Sequence, residues 1–233
     1  ATFFVVGELL EFQPEIFDKI IDNDHEIAFH TMHHERLDSP GFKENFSNEI
    51  KKFAKLTKHK SQGFRAPTFS LNQSSSWVID VLAENNYIYD SSIIPAKSNM
   101  YGTPNAEHMP YRISSNSIEK NDSSGKLIEF PLLTTRFLGK KIPAAGGFYL
   151  RSLPTKVIKN AIKNYEKKCM PATFYIHSWE LTPEFMPRLD LPLKDKFITY
   201  HNLNKAYSRM SQLLKHFEFT SFGRYITENK MMI

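Results

Sequence analysis

A single cysteine, Cys169, excludes an internal disulfide framework. The fold must therefore be held by packing and hydrogen bonds, and the redox compartment is left open. No stretch comes near the ~20 consecutive apolar residues that a membrane-spanning helix needs. The opening Ala1-Thr2-Phe3-Phe4-Val5-Val6-Gly7 is short and has no basic flank, so it is expected to be a core strand and not a signal peptide. A concentrated basic surface is also absent. Lys+Arg outnumber Asp+Glu by 30 to 25, a net charge of +5. The lysines are nevertheless dispersed as Lys51-Lys52, Lys58-His59-Lys60, Lys140-Lys141 and Lys167-Lys168, with no stacking aromatics grouped among them. They read as solvated faces, and no nucleic-acid partner is expected. No internal repeat is present. Hydrophobic residues at 41% and charged residues at 24% exclude disordered and fibrous classes. The 233 residues suffice for one large α/β domain with a substantial core, and a single domain over 1–233 is expected.

What the chain does contain is an alternation of strand-like and helix-like segments. After the opening strand, Pro14 to Ile21 carries apolar residues at helical spacing, and Glu26-Ile27-Ala28-Phe29 is a short apolar strand. Phe42, Phe46, Ile50, Phe53 and Leu56 mark a helix ending near Lys58. Gly63-Phe64-Arg65-Ala66-Pro67 reads as a strand stopped by proline, Trp77 to Leu82 as a helix capped by Asn72 or Ser74, and Tyr87 to Asp90 as a strand. Between Pro95 and Gly125 the pattern dissolves into an irregular excursion. Leu127 to Leu133 resumes strand character, and Ala144-Ala145-Gly146-Gly147-Phe148-Tyr149 supplies a small-residue approach to another strand. The helix Thr155 to Lys168 leads into the most strand-like run, Ala172 to His177, and a helix over Leu203 to Phe217 closes the chain. Such alternation predicts a mainly parallel sheet wrapped by helices.

Polar chemistry gathers where these strands end. In Phe29-His30-Thr31-Met32-His33-His34 the imidazoles of His30 and His34 lie four residues apart, a spacing that can close on one divalent ion; a solvated histidine-rich loop is the alternative. Arg65 sits on the next strand, Asp90 on the next and His177 on a late one. Singly they read as a surface ion-pair partner, a turn former and a core histidine. In a parallel α/β sheet the carboxyl ends of strands share a rim, and that common position favours a site.

The residues resemble polysaccharide deacetylases of the NodB-homology class, carbohydrate esterase family 4, along the whole chain. His25-Glu26-Ile27-Ala28-Phe29-His30-Thr31-Met32-His33-His34 looks like the second motif of that family, Gly63-Phe64-Arg65-Ala66-Pro67 the third, Asp90-Ser91-Ser92 the fourth and Tyr175-Ile176-His177 the fifth. Tyr89 to Pro95, Ala145-Gly146-Gly147 and His177-Ser178-Trp179-Glu180 are similar to the subgroup associated with exopolysaccharide biosynthesis.

The resemblance implies a distorted (β/α) barrel and a hydrolase that removes N-acetyl groups from an amino-sugar polymer with a divalent metal, most often zinc. His30 and His34 would be metal ligands, Thr31 would tie their loop, and a backbone N–H near Thr68 would stabilise the oxyanion. His177 would protonate the leaving amine, Asp90 would orient His177, Arg65 would orient the base, and Trp179 would lie on the substrate side. The first motif of the family, an acidic strand giving the base and the third ligand, has no counterpart here. It is expected before Ala1, so that residues 1–233 alone lack one barrel strand, show little activity and leave an apolar seam along Thr2 to Val6. Two other functions share this rim: hydrolysis of a small cyclic amide, and carbohydrate binding without catalysis. The polysaccharide and the compartment, cytoplasmic or cell-envelope associated, are left open by the sequence.

Overall fold

Four short apolar runs, each followed by a polar residue, build the centre of the molecule. The computed structural model describes residues 1–97 and 102–231. Strands β1 (Thr2–Val5), β2 (Glu26–Phe29), β3 (Gly63–Phe64), β4 (Tyr89–Asp90), β5 (Tyr111–Ile113) and β6 (Leu127–Glu129) form one sheet in the order β1-β2-β3-β4-β6-β5. All neighbours are parallel except β5, which runs antiparallel to β6. Parallel pairing demands long crossovers. Helices Glu15–Asp22, Phe42–Leu56 and Trp77–Glu84 supply them between β1 and β2, β2 and β3, and β3 and β4. The result is a mixed α/β fold with a mostly parallel sheet, as the alternation predicts.

The helix Phe42–Leu56 shows why the sequence chooses this arrangement. Phe42, Phe46, Ile50 and Phe53 recur every three or four residues, and all are at most 2% exposed. They meet Phe29 and Phe64 of the sheet, with ring centroids 4.6 Å apart for Phe29–Phe53 and 5.6 Å for Phe46–Phe64. A second apolar cluster, including Leu133, Leu150, Ile158, Ile162 and Leu213, underlies the later half of the chain.

The structure departs from the sequence reading in several places. The excursion from Pro95 to Gly125 contains β5, whose Tyr111 lies opposite Glu129; residues 98–101 of that excursion lie outside the described residues. Asn72 caps a 3-10 turn, Gln73–Ser75, ahead of the helix Trp77–Glu84 and not that helix itself. Ala144 to Tyr149 does not approach a strand: Gly146, at φ +92°, turns the chain into a helix over Gly147–Ser152. That segment follows a separate hairpin, β7 (Thr134–Phe137) and β8 (Lys140–Pro143), turned through Leu138 and Gly139 at φ +49° and +77°. The run Ala172 to His177 forms only an isolated parallel bridge, Thr173 opposite Leu132, and its apolar residues pack half-buried against the second apolar cluster without a regular ladder. The seam expected along β1 is partly covered. Among the described residues β1 pairs only with β2, yet helix Phe222–Glu228 packs against it, with Phe222 N–H donating to Thr2 Oγ1 and the Phe222 and Phe4 rings 5.8 Å apart.

Candidate active site

The register of the sheet aligns the ends of its strands. Phe29 lies opposite Phe64, Phe64 opposite Asp90, and Asp90 opposite Glu129, so His30 and Arg65 leave adjacent strands at the carboxyl edge where Asp90 and Glu129 stand. Past β2 the chain curls, with Thr31 and His34 both in the left-handed region at φ +59° and +56°. Gly7 N–H donates to Thr31 O, Glu8 N–H to Met32 O, and Met32 N–H to Glu49 Oε2, which pins the curl from three directions. The expected tie through the Thr31 hydroxyl is not made: Oγ1 is buried with no partner among the described residues, and the backbone does the work instead.

His30 and His34 face one another with ring centroids 5.0 Å apart. His30 Nδ1 lies 2.6 Å from the carbonyl oxygen of Arg65. A carbonyl can only accept, so Nδ1 carries the proton and Nε2 keeps its lone pair. Burial holds His30 down to about 3, with the Arg65 carbonyl opposing and the nearby charges of His34, Arg65 and His177 adding to the fall. His34 is lowered by burial and then by the charge of His177. Both rings are thus held in the neutral form that binds metal, and His177 lies within electrostatic range of each. His33 points away to an exposed pair with Glu8.

Arg65 is buried. Its guanidinium carbon sits 4.1 Å from the Phe4 ring centroid and 5.6 Å from that of Tyr175, and it donates through Nε to Ser91 O at 2.8 Å and through Nη2 to Ser91 Oγ at 2.7 Å. Burial lowers its pKa to about 10, which leaves it charged. Its visible duties are to anchor the segment after β4 and, through its carbonyl, to set the His30 tautomer. Thr68 stands in a 3-10 turn at φ +51°, and its Oγ1 accepts from Arg36 Nη1 at 2.8 Å. The N–H groups of Phe69 and Ser70 are committed to Ala66 O and Pro67 O.

His177 reaches this rim through Tyr175, whose ring meets Phe69 at 5.1 Å and His177 at 5.5 Å. The imidazole is 52% exposed and stacks on Trp179, with centroids 5.5 Å apart and planes 17° from parallel. Asp90 does not orient it. Asp90 is fully buried, accepts from Ser92 Oγ at 2.6 Å and faces Glu129, which accepts from Ile93 N–H at 2.9 Å. Burial raises both carboxyls; the charge and hydrogen bond of Asp90 push Glu129 up further, whereas the hydrogen bond from Glu129, with those of Ser92 and Ser91, draws Asp90 back down. Asp90 Oδ2 finds a donor only if the pair shares a proton. The group beside His177 Nδ1 is Glu180 Oε2, 3.1 Å away, and Glu180 in turn meets Arg151, both 1% exposed. Sequence reading assigned no role to Glu180, Arg151, Glu129 or Ser91.

The arrangement brings the imidazoles of His30 and His34 together, with the exposed ring of His177 near enough for its charge to act on both. Two neutral imidazoles with Nε2 free fit a divalent cation as two of its ligands. Among the described residues no group of three or more His, Cys, Asp or Glu converges on one point.

A mostly parallel α/β scaffold with paired histidines at its carboxyl edge is the class that polysaccharide deacetylases occupy. Residues 1–87 match the family model described as Polysaccharide deacetylase, and residues 91–227, more than half of the chain, match the model described as Domain of unknown function (DUF3473). The chain belongs to the DUF3473 family by its greater part, with a segment similar to the polysaccharide deacetylases ahead of it, and it is a hydrolase of amide bonds. Among solved structures it is similar to a candidate polysaccharide deacetylase from Mycobacterium smegmatis, with TM-score 0.55 and 16% identity over 100% of this chain and 73% of that one. It is also similar to the Puue allantoinase, at TM-score 0.51 and 13% identity, with coverage of 93% and 62%. A 4-alpha-glucanotransferase from Thermococcus litoralis gives TM-score 0.55 and 14% identity, with coverage of 97% and 33%. Three such different enzymes at such low identity speak for the fold alone. No curated protein matches the sequence.

Proposed function

We propose that this chain is the catalytic unit of a divalent-metal-dependent N-deacetylase acting on an acetylated amino-sugar polymer, with zinc as the metal. The observation that carries the reading is the hydrogen bond from His30 Nδ1 to the Arg65 carbonyl, which leaves Nε2 unprotonated in a ring that meets His34. His30 and His34 would hold the cation. When bound, it supplies Lewis acidity that polarises the acetamide carbonyl and eases deprotonation of water.

The remaining roles fall to the chain. Hydrolysis adds hydroxide to the carbonyl carbon and breaks the C–N bond, so the amine must gain a proton as it leaves. His177, exposed and with Nε2 free to take up a proton from solvent, is the group that passes that proton to the amine. The N–H of Thr68 is the candidate to face the developing oxyanion. Trp179, stacked on His177, offers a flat apolar surface for a sugar ring. Arg65 keeps His30 in its ligand tautomer and is proposed to reach the base. Among the described residues no third donor converges on His30 and His34, so neither the base nor a third ligand is assigned to one of them. In this reading residues 1–233 act as one unit: the segment matching the deacetylase model brings His30, His34 and Arg65, and the DUF3473 segment brings His177.

The test is release of acetate from a chitin oligomer by the full-length protein, with and without a chelator and with a series of divalent metals. Activity lost to the chelator and restored by zinc is expected. Metal-independent release, or activity that survives His34→Ala, would refute it.

A further inference from the structure

We propose that Glu180, and not Asp90, is the carboxylate that positions His177, and that Arg151 and Gly147 serve to lock Glu180 in place. The assignment of what that positioned ring does rests on the deacetylase reading. Stacking on Trp179 sets the plane of this half-exposed ring but not which of its nitrogens carries the proton, so a contact at Nδ1 must settle the tautomer.

Glu180 meets that need by geometry. Its Oε2 lies 3.1 Å from both the backbone N and the Nδ1 of His177, three residues earlier, the reciprocal reach of a capping box. Its Oε1 accepts from Arg151 Nε at 3.1 Å and Nη2 at 3.0 Å, a forked ion pair. Arg151 cannot swing away, because it also donates to the carbonyls of Gly147, Ile198 and His201. The space that receives the carboxylate exists only because residue 147 has no side chain: a Cβ there would fall 1.7 Å from both Glu180 oxygens. Burial alone would raise Glu180, but the hydrogen bonds from the His177 ring and backbone, with the Arg151 charge, outweigh it and hold the group below the usual carboxylate range. An ionised carboxylate can only accept, so Nδ1 carries the proton and the atom turned outward is a bare Nε2. That is the atom that can take up a proton from solvent and pass it to the leaving amine. Asp90 is fully buried beside Glu129 and has no contact with the ring.

The test reads the ring directly, without turnover. Nitrogen-15 spectra of histidine-labelled full-length protein, with His177 assigned by its loss in His177→Asn, report which nitrogen is protonated. In the parent protein the Nδ1–H form should predominate with a low-field proton. In the double variant Glu180→Met with Arg151→Met, which removes both buried charges together so that the chain stays folded, the Nε2–H form should take over. Gly147→Ala should move the ring in the same direction. An Nε2–H ring in the parent, an unchanged ring in the double variant, or loss of the Nδ1–H form in Asp90→Asn would each overturn the assignment. A normal Nδ1–H signal in a protein that releases no acetate would sink the deacetylase reading and leave this one standing.

Discussion

Replacing Arg151 by Met while Glu180 remains should be among the most destabilising single changes in this protein. Both side chains are 1% exposed, so the carboxylate left behind cannot be rescued by water. Breaking one side of a buried pair typically costs about 3–5 kcal/mol. At about 2–4 °C per kcal/mol for a domain of this size, the melting temperature should fall by roughly 6–20 °C. The reverse change is milder: in Glu180→Met the guanidinium keeps its bonds to Gly147 O, Ile198 O and His201 O, so a loss of about 1.5–3 kcal/mol, the worth of a charged hydrogen bond, is expected. The double variant should recover much of the deficit, with a coupling energy of about 1–3 kcal/mol. Urea unfolding of the parent and the three variants completes the cycle. Additive losses would refute the claim that the two charges are held against each other, and equal losses in the two single variants would refute the asymmetry.

The acid pair Asp90–Glu129 predicts a pH dependence of stability. Burial raises both carboxyls in the folded state, so their contribution is fully present below the ordinary carboxyl range and is lost as pH rises through the raised values. Glu129→Gln should flatten that fall as pH rises above the ordinary carboxyl range; an unchanged slope of the urea midpoint against pH would contradict it. Gly147→Ala should cost about 1–3 kcal/mol, the range for overpacking, since its new methyl collides with Glu180; a melting temperature equal to the parent's would show that the cradle yields freely. In the full-length protein, His177→Ala should lower turnover by about 10²–10⁴-fold, the usual worth of a general acid, while metal content stays near that of the parent. Loss of metal with loss of rate would mean that His177 is a ligand.

The site was legible where chemistry followed directly on a contiguous apolar run. His30 after Glu26–Phe29 and Arg65 after Gly63–Phe64 are such cases, because a buried strand fixes both its own register and the loop behind it. Asp90 shows the limit of that reasoning. Its place at a strand end was readable, but which way its carboxyl turns depends on Glu129 from β6, 39 residues later, and on the Ser92 hydroxyl. Glu180 and Arg151 lie 29 residues apart on separate helices, and no periodicity links them. A trace of their meeting was present in Gly146-Gly147, read as part of a small-residue approach to a strand; what approaches is the Glu180 carboxylate at Gly147 and the Tyr175 ring at Gly146. The hairpin β7–β8 was missed because Leu138-Gly139 is an uncommon turn pair, with a leucine at φ +49°.

The central claim is that His30 and His34 bind a divalent cation and His177 does not. Zinc titration by calorimetry of the full-length protein and of His30→Ala, His34→Ala and His177→Ala decides it, with circular dichroism to establish that each variant is folded. Binding should be lost or cut by at least about 100-fold in the first two, a change of roughly 2.7 kcal/mol, and should be unaltered in the third. Equal affinity in all four folded proteins, or a loss confined to His177→Ala, would contradict the account.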